Sequence, residues 1–218
     1  MPLFTDWTPE TENGLRFIET TDNPLNGPYS LHGFSDGTEF DVVDIGFRKS
    51  ASVYLRDIHP RGFSDGRIRT LFRMENLNAS EGWGGIFFLS SKLGIGTRLE
   101  TDNNHYEVSN EDNTLKIVKV VNNIKTTLVD TLITISPATL YGIDVSWEFD
   151  PDVPRTFIEV KLGNSVDFND LVTVATFSDT TDPHQFSDSE GLFVQAESSE
   201  DLIDIRFDTT SIFRIVTL

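Results

Sequence analysis

Between Ile143 and Phe149 apolar and polar side chains alternate without a break, with Ile143, Val145, Trp147 and Phe149 set against Asp144, Ser146 and Glu148. A period of two belongs to a strand, so the first four side chains must share one face and the other three the opposite one. Pro151 and Pro154 then stop the ladder, because proline has no N–H to donate. Thr156 to Leu162 alternates again, with Ile158, Val160 and Leu162 inward, and Gly163-Asn164 follows as a hairpin-type turn.

The same pattern recurs along the chain. Ile68, Phe72 and Met74 oppose Arg67, Arg69 and Arg73; Leu115 to Val121 and Thr126 to Leu132 flank Asn122-Asn123; Leu192, Val194 and Ala196 form one stripe, and Ile203, Ile205 and Phe207 another. Tyr29 to Phe34, Phe40 to Val43, Ser52 to Asp57, Gly85 to Leu89 and Ile212 to Val216 read as further strands. Helical turns are expected only near Pro137 to Tyr141 and Asp167 to Leu171. About a dozen short strands with one-sided apolar faces predict an all-β fold, a two-sheet antiparallel β-sandwich. Nothing resembling a linker divides the chain, so residues 28–218 are expected to form one sandwich domain. Residues 1–27 are expected to be an irregular lead-in. Phe-Ser-Asp occurs at Phe34, Phe63, Phe177 and Phe186, but the unequal spacing makes it turn chemistry and not a structural repeat.

With 17 Phe and 218 residues the chain can fill a wide interior without covalent staples. It has no cysteine, which excludes disulfides, zinc–thiolate centres and a thiol nucleophile. Its formal charge of −18 repels phosphate backbones and anionic lipid, so nucleic-acid and membrane partners are not expected. The N-terminal residues carry no secretory signal pattern, so the expectation is cytoplasmic synthesis, with virion-surface display as one destination.

The order of these segments carries a resemblance. Asp65 to Arg73 is followed by Trp83-Gly84-Gly85-Ile86-Phe87-Phe88, then Tyr106-Glu107-Val108, the Asn122-Asn123 hairpin and the Trp147 and Ile158 strands. Gly191-Leu192-Phe193-Val194 and Ile205-Arg206-Phe207-Asp208 close the series. Over residues 28–218 this resembles the concanavalin A-like lectin and glucanase jelly rolls, laminin-G-like domains included. The resemblance implies a jelly roll, and carbohydrate as a ligand class to look for.

Against that family's enzymes the chain is incomplete. Glucanases of this fold place alternating carboxylates on one strand, and here Ser146 stands between Asp144 and Glu148, so a solvated or salt-bridged face is the better reading. Alginate lyases carry Arg-x-Glu-x-Arg and Gln-x-His strands. Leu71 replaces the acid between Arg69 and Arg73, and Gln-x-His is missing. His32, His59, His105 and His184 share no motif spacing. His105, beside Tyr106, is the one candidate for acid–base work. No catalytic residue is assigned, and the chain is expected not to be an enzyme.

Three sets of binding residues remain. Trp83, flanked by glycines, is the candidate sugar platform, with Tyr106, Asn103 and Asn104 beside it. Asp179, Asp182, Asp188 and Glu190 form an acidic stretch with hard oxygen donors, which makes calcium the one candidate cofactor, although an ordinary solvated loop is the favoured reading. Phe4 and Trp7 are the candidate anchors of an assembly interface. The expected function is a non-enzymatic structural or attachment protein of a phage or virus particle, contacting other protein subunits and in some cases a glycan. The alternative is a carbohydrate-binding module or a degenerate polysaccharide-active enzyme.

Overall fold

The computed structural model describes residues 8–9, 15–22, 24–26, 30–35, 44–45, 48–49, 51–75, 82–90, 104–111, 114–122, 124–133, 135–185, 187–196 and 203–215. In chain order the strands are β1 (Thr8–Pro9), β2 (Leu15–Thr20), β3 (Ser30–Ser35), β4 (Asp44–Ile45), β5 (Arg48–Lys49) and β6 (Ala51–Phe63). There follow β7 (Asp65–Met74), β8 (Gly82–Ser90), β9 (His105–Glu111), β10 (Thr114–Val121) and β11 (Ile124–Leu132). The last five are β12 (Tyr141–Asp150), β13 (Arg155–Gly163), β14 (Val172–Asp179), β15 (Ser187–Ala196) and β16 (Asp204–Ile215). Among the described residues there is no helix, and Pro137 to Tyr141 and Asp167 to Leu171 contain turns instead. Phe40 to Val43 lies outside the described residues.

Two antiparallel seven-stranded sheets make the sandwich. The first runs β1-β6-β15-β8-β9-β10-β11 and the second β14-β13-β12-β7-β16-β3-β2, with β4 and β5 as a separate pair. Residues 1–27 are not all irregular. Leu15–Thr20 pairs with β3 along its length and forms the outer strand of the second sheet, and Thr8–Pro9 pairs with β6. Phe4 and Trp7 lie outside the described residues.

The core sits where alternation placed it. Trp147 is 3% exposed, and its ring stacks on Phe88 of the opposite sheet at 4.6 Å. Gly66 makes room for that ring, since a Cβ there would come within 2.4 Å of it. A cavity bounded by Phe72, Gly84, Ile143 and Phe207 has about 10 Å³ of room, one water's worth.

The turn at Gly163-Asn164 is longer than expected, because β14 does not begin until Val172. The Asp170 carboxylate accepts from the backbone N–H groups of Asn164 and Ser165, and this pins the loop. Phe168, at φ 60°, turns back over the outer face of the second sheet, with the Arg69 guanidinium 5.1 Å from its ring.

Candidate ligand-binding faces

The outer face of the first sheet is concave. Lys125 Nζ donates to Gln195 Oε1 at 2.6 Å, although β11 and β15 have three strands between them. On a flat sheet their backbones would stand about 19 Å apart, farther than the two side chains reach together. The contact requires the sheet to curl toward this side.

Glu107 lies at the centre of that face and is fully buried. Lys125 Nζ donates to its Oε2 at 2.7 Å, and His105 Nε2 lies 2.9 Å from its Oε1. Burial alone would push the carboxyl up, but the Lys125 charge and the His105 bond outweigh it and hold Glu107 at about 2. Ionised, Glu107 can only accept, so His105 carries its proton on Nε2. Phe87 and Phe193 form a buried apolar pair on this face, with Lys125 Nζ 5.8 Å from the Phe193 ring. Ser109 lies across from Gly85 on the same face, and its buried hydroxyl has no hydrogen-bond partner among the described residues. A carboxylate this acidic and this firmly paired is a poor proton carrier near neutral pH, so the cluster is suited to orienting groups and not to transferring protons.

The backbone of Trp83 pairs in register with that of Gln195. The Trp83 side chain lies outside the described residues, as does all of Asn103. Asn104 is spent on a turn: its Oδ1 accepts from the Asn122 N–H at 2.8 Å. Tyr106 points the other way. It is fully buried between the sheets, stacked on Phe88, and cannot serve as an exposed platform beside Trp83. Sequence reasoning missed Glu107, Lys125 and Gln195. The signal for the first was available in His105-x-Glu107, two polar residues at strand spacing.

The acidic stretch does not converge. Asp179 is buried and accepts from the Tyr106 hydroxyl at 2.6 Å and the Thr181 N–H at 3.0 Å, and it pairs with Lys119 Nζ at 2.7 Å. Lys119 spends its other donors on the carbonyls of Thr181 and Asp182, both at 2.6 Å. Asp182 is exposed, Glu190 is fully buried on β15, and the Asp188 side chain lies outside the described residues. Among the described residues no three His, Asp or Glu side chains are grouped as a metal would require. Asp179 is thus buried as an internal counter-charge and not part of a solvated loop. Burial pushes its carboxyl up, but the bonds from Lys119, Tyr106 and Thr181 hold it below the usual range. His184 completes this end of the sandwich, its N–H donating to the Tyr106 oxygen at 3.2 Å and its Nε2 to the Val120 carbonyl at 3.0 Å.

The outer face of the second sheet is lined by ion pairs and is covered in part by Phe168. Asp144 accepts from Arg67 Nε at 2.6 Å and from Arg69 Nε and Nη2 at 3.0 and 2.9 Å, so it is a salt-bridged residue and not half of a carboxylate pair with Glu148.

No protein-family model matches the chain, and no curated protein matches it in sequence. Solved structures match in shape. A carbohydrate-binding module, CBM66 from Bacillus subtilis, is 13% identical with a TM-score of 0.56, covering 98% of this chain and 98% of its own. A cellulose-induced protein is 14% identical with a TM-score of 0.60, over 95% of this chain and 91% of its own. The carbohydrate recognition domain of Emp46p in its potassium-bound form is 10% identical with a TM-score of 0.55, over 98% and 90%. These likenesses show the fold, a concanavalin A-like jelly roll, as the strand order implied.

Proposed function

We propose that this chain is a carbohydrate-binding module that recognises its ligand at the concave face of the first sheet without catalysing a reaction. One observation carries the reading: Lys125 crosses the concavity to Gln195, and Gln195 pairs in register with Trp83. A carboxylate, an ammonium, an imidazole and an amide are thereby fixed together above two phenylalanines. A sugar ring needs fixed donors and acceptors for its hydroxyls. Phe87, Phe193, Glu107 and His105 are closed to solvent, so they form the floor that holds Lys125 in place, and the ligand meets Lys125 at the surface. Lys125, at 27% side-chain exposure, is the member of the cluster open to solvent. Neighbours described as a carbohydrate-binding module and a carbohydrate recognition domain favour this alternative over the virion-component expectation, which gains no support from them. Calcium enters the proposal only as an optional ligand.

Affinity electrophoresis through gels containing soluble neutral and acidic polysaccharides tests the reading. Retardation by at least one polymer is expected, weakened tenfold or more in Trp83→Ala and Lys125→Met at unchanged melting temperature. Equal mobility of wild type in every gel, or retardation indifferent to both substitutions, would end it.

A further inference from the structure

The outer face of the second sheet shows a different composition. On β13, Phe157 is 42% exposed, and on β16, Phe213 is 50% exposed. Register places Phe213 beside Arg67, Arg67 beside Ser146, and Ser146 beside Glu159, with exposed Glu148 next to Phe157 one row on. Three strand spacings and one row separate the two rings, roughly 16 Å on a pleated sheet. That is the span of a short stretch of extended sugar chain.

The cations of this face are neutralised within it. Arg67 and Arg69 pair with Asp144, Lys161 with Glu159, and Arg155 with Asp150. Among the described side chains facing outward from β7, β12 and β13, each cation thus has an anion beside it. Between the two exposed aromatic rings lie side chains already held in place by these pairs, and an aromatic ring offers flat apolar surface. A partner that seeks free cations would find these already paired, whereas an uncharged polymer with apolar C–H faces and lateral hydroxyls would find both ring surface and fixed polar groups.

We infer that the outer face of the second sheet is a second binding surface, taking an extended neutral polysaccharide laid across β16, β7, β12 and β13 with Phe213 and Phe157 under its sugar rings. It lies on the opposite side of the sandwich from the concave site, so the two surfaces succeed or fail separately. The probes are insoluble cellulose, chitin and mannan, with the bound fraction measured by depletion. The variants are Phe157→Ala, Phe213→Ala and the pair, each checked for a wild-type melting transition, with the pair also made on the Lys125→Met background. Both rings are at least two-fifths exposed, so their truncation leaves the core intact. The expected result is retention of wild type on at least one solid and a tenfold or greater loss in the double variant, with the same fold-loss when the pair is added to Lys125→Met. Absence of retention on all three solids overturns the inference. So does retention indifferent to the double substitution, or a loss that vanishes on the Lys125→Met background. Sedimentation velocity adds one more decisive outcome: a concentration-dependent dimer that the double variant makes monomeric would assign the face to a second copy of the chain instead.

Discussion

The Tyr106 hydroxyl donates a 2.6 Å hydrogen bond to the Asp179 carboxylate, and that bond joins the first sheet to the second. Lys119 closes the triangle by pairing with the same oxygen of Asp179. The three residues form a polar lock at one end of the interior. Such locks stand or fall on complete pairing, because a buried charge left alone costs more than the pair contributes.

An ordered set of stabilities follows. Tyr106→Phe removes the bond to a charged acceptor and also the oxygen that takes the His184 N–H, and should cost about 1.5–3 kcal/mol. Asp179→Ala strands the Lys119 ammonium, 9% exposed, and should cost about 3–5 kcal/mol. Urea denaturation at neutral pH gives both values. An Asp179→Ala variant as stable as wild type would show that the lock contributes nothing.

Because Asp179 is committed to this lock, calcium has no claim on it. Addition of EDTA should leave the melting temperature where it was. A metal bound to the native state a hundredfold above its dissociation constant would stabilise by about 2.7 kcal/mol, so a drop of several degrees on chelation would reveal a site that the lock hides.

The lock and the concave cluster also set the response to acid. Burial pushes His184 down to about 4, helped by the neighbouring Lys119 charge, while the bond to Val120 offsets part of it. Between about 6.5 and 4 the unfolded chain therefore binds a proton that the folded chain refuses, and stability falls with pH across that window by up to about 3 kcal/mol. Glu107 adds a second loss as pH drops from about 4.5 toward 2, where its folded form finally protonates. His184→Gln should flatten the first stage and spare the second. Identical urea midpoints for wild type at pH 7 and pH 4.5 would contradict the assignment of His184.

Alternation made most of the architecture legible, because period two is a local property that a strand cannot hide. Trp147, Ile158 and Val194 are core for that reason. It failed where both faces of a strand are polar or both are buried. In His105-Tyr106-Glu107 nothing tells which residue faces inward, and the deciding partner, Asp179, is 73 residues away. Curvature was equally invisible: sequence assigns Lys125 and Gln195 to a face but cannot say that the face closes enough for them to meet. Leu15–Thr20 forms β2 within residues 1–27, where the sequence predicts an irregular lead-in.

That strand gives the last prediction. Leu15–Thr20 pairs with β3 from Ser35 to Ser30, and it is the outermost strand of its sheet. Deleting residues 1–20 would leave the backbone groups of β3 on that side unpaired, and an uncovered edge recruits other chains. Deleting residues 1–14 removes, among the described residues, the two-residue pairing of Thr8–Pro9 with β6 and keeps β2 in place. The shorter deletion should melt cooperatively within a few degrees of wild type. The longer one should melt well below it and scatter light on heating. Comparable melting and comparable solubility for the two truncations would mean that β2 is dispensable, and that the segment before Ser30 is free to serve an assembly as the sequence first suggested.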